Sequence, residues 1–166
     1  MKTKKGFTIV ELLIVLSLLA IIVVMVVQAT STFALNARFT GIINNFMADF
    51  SAAKLLASSE NRLVAIVFGG DGGSYTILKQ TSIDSLANWT LVKTSRPISE
   101  GAFFDTGAIS DFAISSVGEI HDYPVVANSN PVALDFQFFI TDSTGEYVRQ
   151  RTIHVYPYGG IKVEKQ

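Results

Sequence analysis

Behind Lys2, Lys4, Lys5 and Gly6 lies an apolar run from Phe7 to Val27, broken only by Thr8, Glu11 and Ser17. It is about as long as a helix must be to cross the hydrocarbon core of a bilayer. The run outlasts the apolar region of a cleaved export signal, no small-residue cleavage site follows it, and it contains a carboxylate. These features predict a retained segment. The lysines ahead of it favour a cytoplasmic N-terminus, so everything after Val27 is expected on the far side of the membrane.

Glu11 needs a physical reason. An ionised side chain within a membrane segment costs roughly 2.5–3.5 kcal/mol on insertion scales at mid-helix, and less near the interface. A cut between Gly6 and Phe7 would create an ammonium group about one helical turn before Glu11. That amine could pair with Glu11 of its own chain or of a neighbour, and the positive end of the helix would favour the carboxylate as well. In an uncut anchor, Glu11 would instead reach back to the headgroups.

The segment Lys4-Lys5-Gly6-Phe7-Thr8-Ile9-Val10-Glu11-Leu12-Leu13 resembles the N-terminal methylation site of type IV pilins and type II secretion pseudopilins. The resemblance implies cleavage after Gly6 by a prepilin peptidase and methylation of the new amino terminus on Phe7. It further implies that Glu11 pairs with the terminal amine of an adjacent subunit during filament assembly. The implied partners are other pilins or pseudopilins, the peptidase, an inner-membrane assembly platform, and lipid before assembly. The implied location is the inner (cytoplasmic) membrane, single-pass, with a periplasmic globular domain.

Past Val27 the helical pattern continues while the polarity changes. Phe39, Ile42, Ile43, Phe46, Met47, Phe50, Ala53 and Ala57 recur at spacings of three and four, one stripe of a helix. Asn36, Arg38, Asn45, Asp49 and Ser59 fall largely off that stripe. The pattern predicts one helix from near Phe7 to about Ser59, roughly 80 Å long, weakened locally at Gly41. The expected organisation is a basic leader (1–6), a transmembrane or filament-core helix (7–28), its amphipathic continuation (29–60) and a β-rich domain (61–166).

Leu63–Phe68 reads as a strand covered on both faces. Gly69–Gly73 then turns the chain into Ser74–Lys79. Trp89–Lys93, Ala102–Phe104 and Phe112–Val117 are further strand candidates, and Arg96-Pro97 ends the first of them. Gly118–Pro131, holding Pro124, Asn128 and Asn130, is expected as an exposed loop suited to partner contacts. Leu134–Ile140 alternates as a half-buried strand should, Asp142–Gly145 turns it into Tyr147–Tyr156, and Pro157–Gly160 leads to a last strand, Ile161–Glu164. The fold class is therefore α+β: a long N-terminal helix packed on an antiparallel sheet or sandwich. This order, with the closing Gly-Gly-Ile-Lys-Val, is similar to the GspH/FimT family of minor pseudopilins and minor pilins. The chain lacks two features of many major pilins, a C-terminal disulfide and a proline kink in the helix.

Lys+Arg number 13 and Asp+Glu 14. Removing Met1–Gly6 takes away three lysines, leaving 13 − 3 = 10 basic against 14 acidic side chains, a net charge of −4. That balance disfavours nonspecific binding of nucleic acid. The candidates for such a contact are Arg149, Arg151, Lys162 and Lys165, interleaved with Glu146 and Glu164, with Tyr156 and Tyr158 as bases' stacking partners. With no cysteine, the chain has neither disulfides nor thiolate chemistry. His121 and His154 have no second histidine at ligand spacing, so no metal or other cofactor is expected. Asp71 lacks regularly spaced oxygen ligands for calcium. The glycine-rich loop is not followed by Lys-Ser/Thr, no nucleophile elbow or dinucleotide fingerprint occurs, and Asp105, Asp111 and Glu119 form no marked couple. The pattern is that of a structural protein, not an enzyme.

Overall fold

The computed structural model describes residues 8–82, 85–95, 98, 102–105, 111–125, 129–141 and 147–165, with side chains described for all but 25–32, 35, 85–87, 147, 148 and 165. The leader lysines, Gly6, Phe7, Pro97, Asn128 and the turn at 142–145 lie outside the described residues. Helix α1 spans Ile9–Glu60. The chain divides into two compact units at Gly41, the second comprising Ile42–Gln166. The end of α1 is set by Asn61 at a positive φ of 53° and by Arg62 N–H donating to the Ala57 carbonyl at 3.1 Å. This is a Schellman-type stop in which asparagine takes the place of the usual glycine.

Among the described residues nine strands follow: β1 (Val64–Phe68), β2 (Tyr75–Ser82), β3 (Ser85–Thr94), β4 (Ala102–Phe104), β5 (Phe112–Ile114), β6 (Ile120–Asp122), β7 (Leu134–Thr141), β8 (Tyr147–Val155) and β9 (Ile161–Lys165). They form two sheets, ordered β3-β2-β1-β5-β6 and β4-β7-β8-β9, and every pairing is antiparallel. The α+β expectation of a helix packed on antiparallel sheets therefore holds.

Two sequence expectations fail. The strand from Phe112 ends at Ile114, because Ser115–Glu119 closes a tight turn: Gly118 N–H donates to the Ser115 carbonyl at 2.9 Å and Ser115 N–H to the Glu119 carbonyl at 2.8 Å. The segment Gly118–Pro131 is not simply an exposed loop. It contains β6, whose Ile120 is fully buried, paired with Ile114 and held from its other side by Val132 N–H and the Pro157 carbonyl.

Within the second unit, α1 buries Ile43, Phe46, Phe50, Ala53 and Ala57, the predicted spacing of three and four, while Ile42 and Met47 are only partly covered. Phe46 sits between the sheets. Its ring centroid lies 5.4 Å from Tyr75 and 6.1 Å from Phe68 in one, and 5.3 Å from Phe104 and 5.5 Å from Phe136 in the other. Tilted and edge-on geometries suit ring quadrupoles. Val64, Ala65 and Ile66 have no exposed surface, as expected of a strand covered on both faces. On the face opposite the core, strand register places Ala65 and Ala113 beside each other, and there Trp89 of β3 meets Tyr123 just past β6 at 5.1 Å. The edge strand β3 and the residue following the other edge strand thus each contribute a ring to a second, smaller apolar contact.

Candidate assembly interface

The start of α1 is capped by Thr8. Its Oγ1 accepts from Glu11 N–H at 3.2 Å and its carbonyl accepts from Leu12 N–H at 3.2 Å. Thr8 and Glu11 thus stand at the N-cap and N3 positions of a Thr-x-x-Glu sequence pattern, in which the Thr8 half of a capping box is made and the returning Glu11 side-chain bond is not. The sequence carried this signal, and reading Thr8 only as an interruption of the apolar run missed it. The cap starts the helix immediately after Phe7. Glu11 lies in the first turn, where the unsatisfied N–H groups favour a negative charge. Its side chain is exposed and has no hydrogen-bond or ion-pair partner among the described residues.

From Thr8 to Val24 every described side chain is exposed, on all sides of the helix; Leu12, Leu13, Leu16, Leu19 and Ile22 are each more than half exposed. The Ser17 hydroxyl is satisfied inside the helix, donating to the Ile14 carbonyl at 2.8 Å. A helix that is apolar all round needs cover from lipid or from other helices. Among the described residues no helix is long and apolar enough to cross a membrane. The described side chains of the run stop at Val24, while the apolar sequence continues to Val27.

A polar cluster ties α1 to the first sheet. Asp49 accepts from the Tyr75 hydroxyl at 2.9 Å and pairs with Lys93, beside a cleft of about 480 Å³ lined also by Ile42, Asn45, Ala48, Ser95 and Ile98. Burial raises the Tyr75 hydroxyl well above its ordinary pKa, and the hydrogen bond and charge of Asp49 raise it further. Because the folded-state value exceeds the unfolded one, this stabilisation is complete below about pH 10 and is lost as pH climbs toward the folded value. Tyr75→Phe is therefore expected to flatten the loss of stability above pH 10 in chemical unfolding followed from pH 8 to 11. An unchanged alkaline slope would show that Tyr75 does not couple folding to pH.

Residues 1–27 match the family described as the prokaryotic N-terminal methylation motif. No curated protein matches the chain. Among solved structures, the type IV minor pilin FimU of Pseudomonas aeruginosa superposes with a TM-score of 0.57 at 16% identity, over 80% of this chain and 92% of that one. The minor pseudopilin EpsH from the Type 2 Secretion System of Vibrio cholerae gives 0.51 at 14% identity, over 74% and 92% respectively. The chain carries the methylation motif on a pilin-like fold.

The remaining candidate residues can now be placed on this pilin-like domain. Arg149 and Arg151 pair with Ile140 and Phe138, so register puts them on the same side of the second sheet as Ile153 and Val155, although Arg149 is exposed there and Arg151 half-buried. Lys162 pairs with His154 on the opposite side and forms an ion pair with Glu164. The three are not brought together. His154 Nδ1 lies 2.7 Å from Asp135 Oδ1, and its Nε2 is 3.6 Å from Glu164, beyond hydrogen-bond reach. His121 lies on β6, with Nδ1 3.1 Å from the Ser129 hydroxyl. Among the described residues no cluster of three potential metal ligands occurs.

Asp111 Oδ1 accepts from Phe68 N–H at 2.9 Å, tying the end of β1 to the start of β5, and Asp71 Oδ1 accepts from Gly73 N–H at 2.9 Å within its own turn; both contacts are structural. Gly69–Gly73 forms the β1–β2 hairpin turn, closed by Gly69 N–H to the Ser74 carbonyl at 2.8 Å. The tyrosines at the β8–β9 turn, Tyr156 and Tyr158, are both exposed, Tyr158 at 75%.

Proposed function

We propose that this chain is a structural subunit of a pilus-like filament: a minor pseudopilin of a type II protein secretion system. It is cleaved after Gly6 by prepilin peptidase, methylated on Phe7, and anchored in the inner membrane with its N-terminus cytoplasmic and its β domain periplasmic. From lipid it passes, through the assembly platform, into a bundle of homologous helices. The observation that carries this reading is the start of α1. The helix is exposed and apolar on every described side to Val24, with one carboxylate, Glu11, that has no partner among the described residues in its first turn. In a bundle, the amine of a sister chain's Phe7 neutralises that carboxylate where water is excluded, and the surrounding low dielectric strengthens the pair.

The same supports serve a minor pilin of a type IV pilus, and the likeness to FimU over 80% of this chain adds fold-level support to that second reading. Glu11→Ala tests both. Membrane insertion is expected to stay intact while recovery of the chain in sheared filaments falls about tenfold, which a difference of ~1.4 kcal/mol in packing suffices to produce. N-terminal sequencing of the wild-type chain from the same membranes is expected to begin at Phe7. Loss of secretion or loss of pili in the variant separates the two machines. Normal incorporation of Glu11→Ala, or Met1 still at the terminus, would overturn the proposal.

A further inference from the structure

The β5–β6 and β8–β9 turns come from different sheets, yet their backbones are joined. A Cβ on Gly159 would lie 2.5 Å from the Gly118 carbonyl oxygen, and both glycines hold positive φ, 72° and 85°. Ile120 N–H donates to the Pro157 carbonyl at 2.8 Å. Lys54, reaching from α1, donates from Nζ to the Gly159 carbonyl at 3.2 Å, and its Cε would be 2.8 Å from a Cβ on Gly118. Each turn is also closed on itself, the second by Gly159 N–H to the Tyr156 carbonyl at 2.9 Å and Tyr156 N–H to the Gly160 carbonyl at 2.8 Å. On this tight frame stand Val117, Tyr156 and Tyr158, 77%, 48% and 75% exposed.

We propose that the joined turns are a preformed docking surface for the β domain of the adjacent subunit in the filament, an inference that rests on the filament reading above. Tyrosine is enriched in protein interfaces because it offers large, stiff contact area at low entropic cost, and the frame has already fixed the backbone that carries it. Among the described residues the cations at the patch are already engaged, Lys54 by the Gly159 carbonyl and Lys162, which lies near Tyr156, by Glu164, and this favours a protein partner over anionic lipid or nucleic acid. The area decides the occupant. Three such side chains bury at most about 500 Å², short of the roughly 800 Å² per partner of a free-standing complex. The contact therefore holds only where something else has brought the chains together. Packed helices supply that effective concentration, so the partner is the neighbouring subunit.

The chain has no cysteine, which allows unambiguous labelling. Tyr158→Cys and, separately, Leu16→Cys, each in the full chain and carrying a benzophenone maleimide, report on the turn surface and the helix when irradiated in assembled filaments. Both are expected to capture a pilin-like subunit. Adding Val117→Asp should cut the Tyr158 adduct about fivefold and leave the Leu16 adduct unchanged, whereas Glu11→Ala should remove both. The proposal falls if the Leu16 adduct forms without the Tyr158 adduct. It falls equally if the Tyr158 adduct is on carbohydrate or lipid, or survives Glu11→Ala. Absence of both adducts in the wild-type background overturns the filament reading and this inference with it.

Discussion

Phe46→Ala is expected to destabilise the compact unit by about 3–5 kcal/mol and to lower its unfolding midpoint by about 10–25 °C. The ring is fully buried and touches aromatic rings of both sheets, Phe68 and Tyr75 on one side and Phe104 and Phe136 on the other. Truncation removes the transfer free energy of the ring and leaves a cavity that neither sheet can fill alone, because each is fixed by its own strand pairing. Leu55→Ala is the matched control: it lies on the same helix but is 71% exposed, and should shift stability by no more than about 0.5 kcal/mol. Thermal unfolding of the full chain in detergent, followed by circular dichroism, reads both. A loss of less than 1 kcal/mol for Phe46→Ala would mean that the helix is not the element on which the two sheets close.

How much of this was legible in the sequence depends on how far each signal reaches along the chain. The stripe Ile43, Phe46, Phe50, Ala53, Ala57 is periodic over neighbouring residues, and the buried face follows that period. Leu134–Ile140 alternates and becomes β7 for the same reason. In contrast, β6 consists of Ile120, His121 and Asp122, too short to show a period, and lies among Gly118, Pro124 and Pro131. Its burial comes from pairing with β5 and from backbone bonds to Val132 and Pro157, none of which leaves a local mark.

Asp49 shows the same limit on the functional side. It falls off the apolar stripe and reads as a solvated position. Its partners Tyr75 and Lys93, 26 and 44 residues away, make it a polar link between helix and sheet, alongside the Glu60–Lys79 ion pair. Arg149 and Arg151 share parity with Ile153 and Val155 in the sequence, but only the pairing with Phe138 and Ile140 fixes which side of the sheet that parity occupies. The assembly end is the opposite case. Thr8, Glu11 and the apolar run are contiguous, so the cap, although overlooked, was written in adjacent residues, as was the need of the run for cover and of Glu11 for a counter-charge on which the filament proposal is built.

The glycine-rich turn joins the two kinds of signal. Its composition marks a hairpin, yet it does not say which glycine is indispensable. Gly72→Ala is expected to cost about 3–6 kcal/mol, whereas Gly70→Ala should stay within about 0.5 kcal/mol of the parent. Gly72 holds a φ of 66°, a conformation that costs a residue with a Cβ about 1–3 kcal/mol. A Cβ there would also stand 2.1 Å from the Phe104 carbonyl oxygen, a backbone atom with no rotamer to change. Relieving that clash means pulling β4 away, which breaks the Phe104 N–H to Gly72 carbonyl bond of 3.0 Å and shifts the buried Phe104 ring off Phe46. The hairpin of one sheet and the edge strand of the other would part at the point where they are tied. A Cβ added on Gly70 would find open space within 4 Å, and Gly70 carries no positive φ, so its substitution tests composition without touching the joint. Equal stabilities for the two variants in denaturant titration would show that this contact between the sheets is dispensable to the fold.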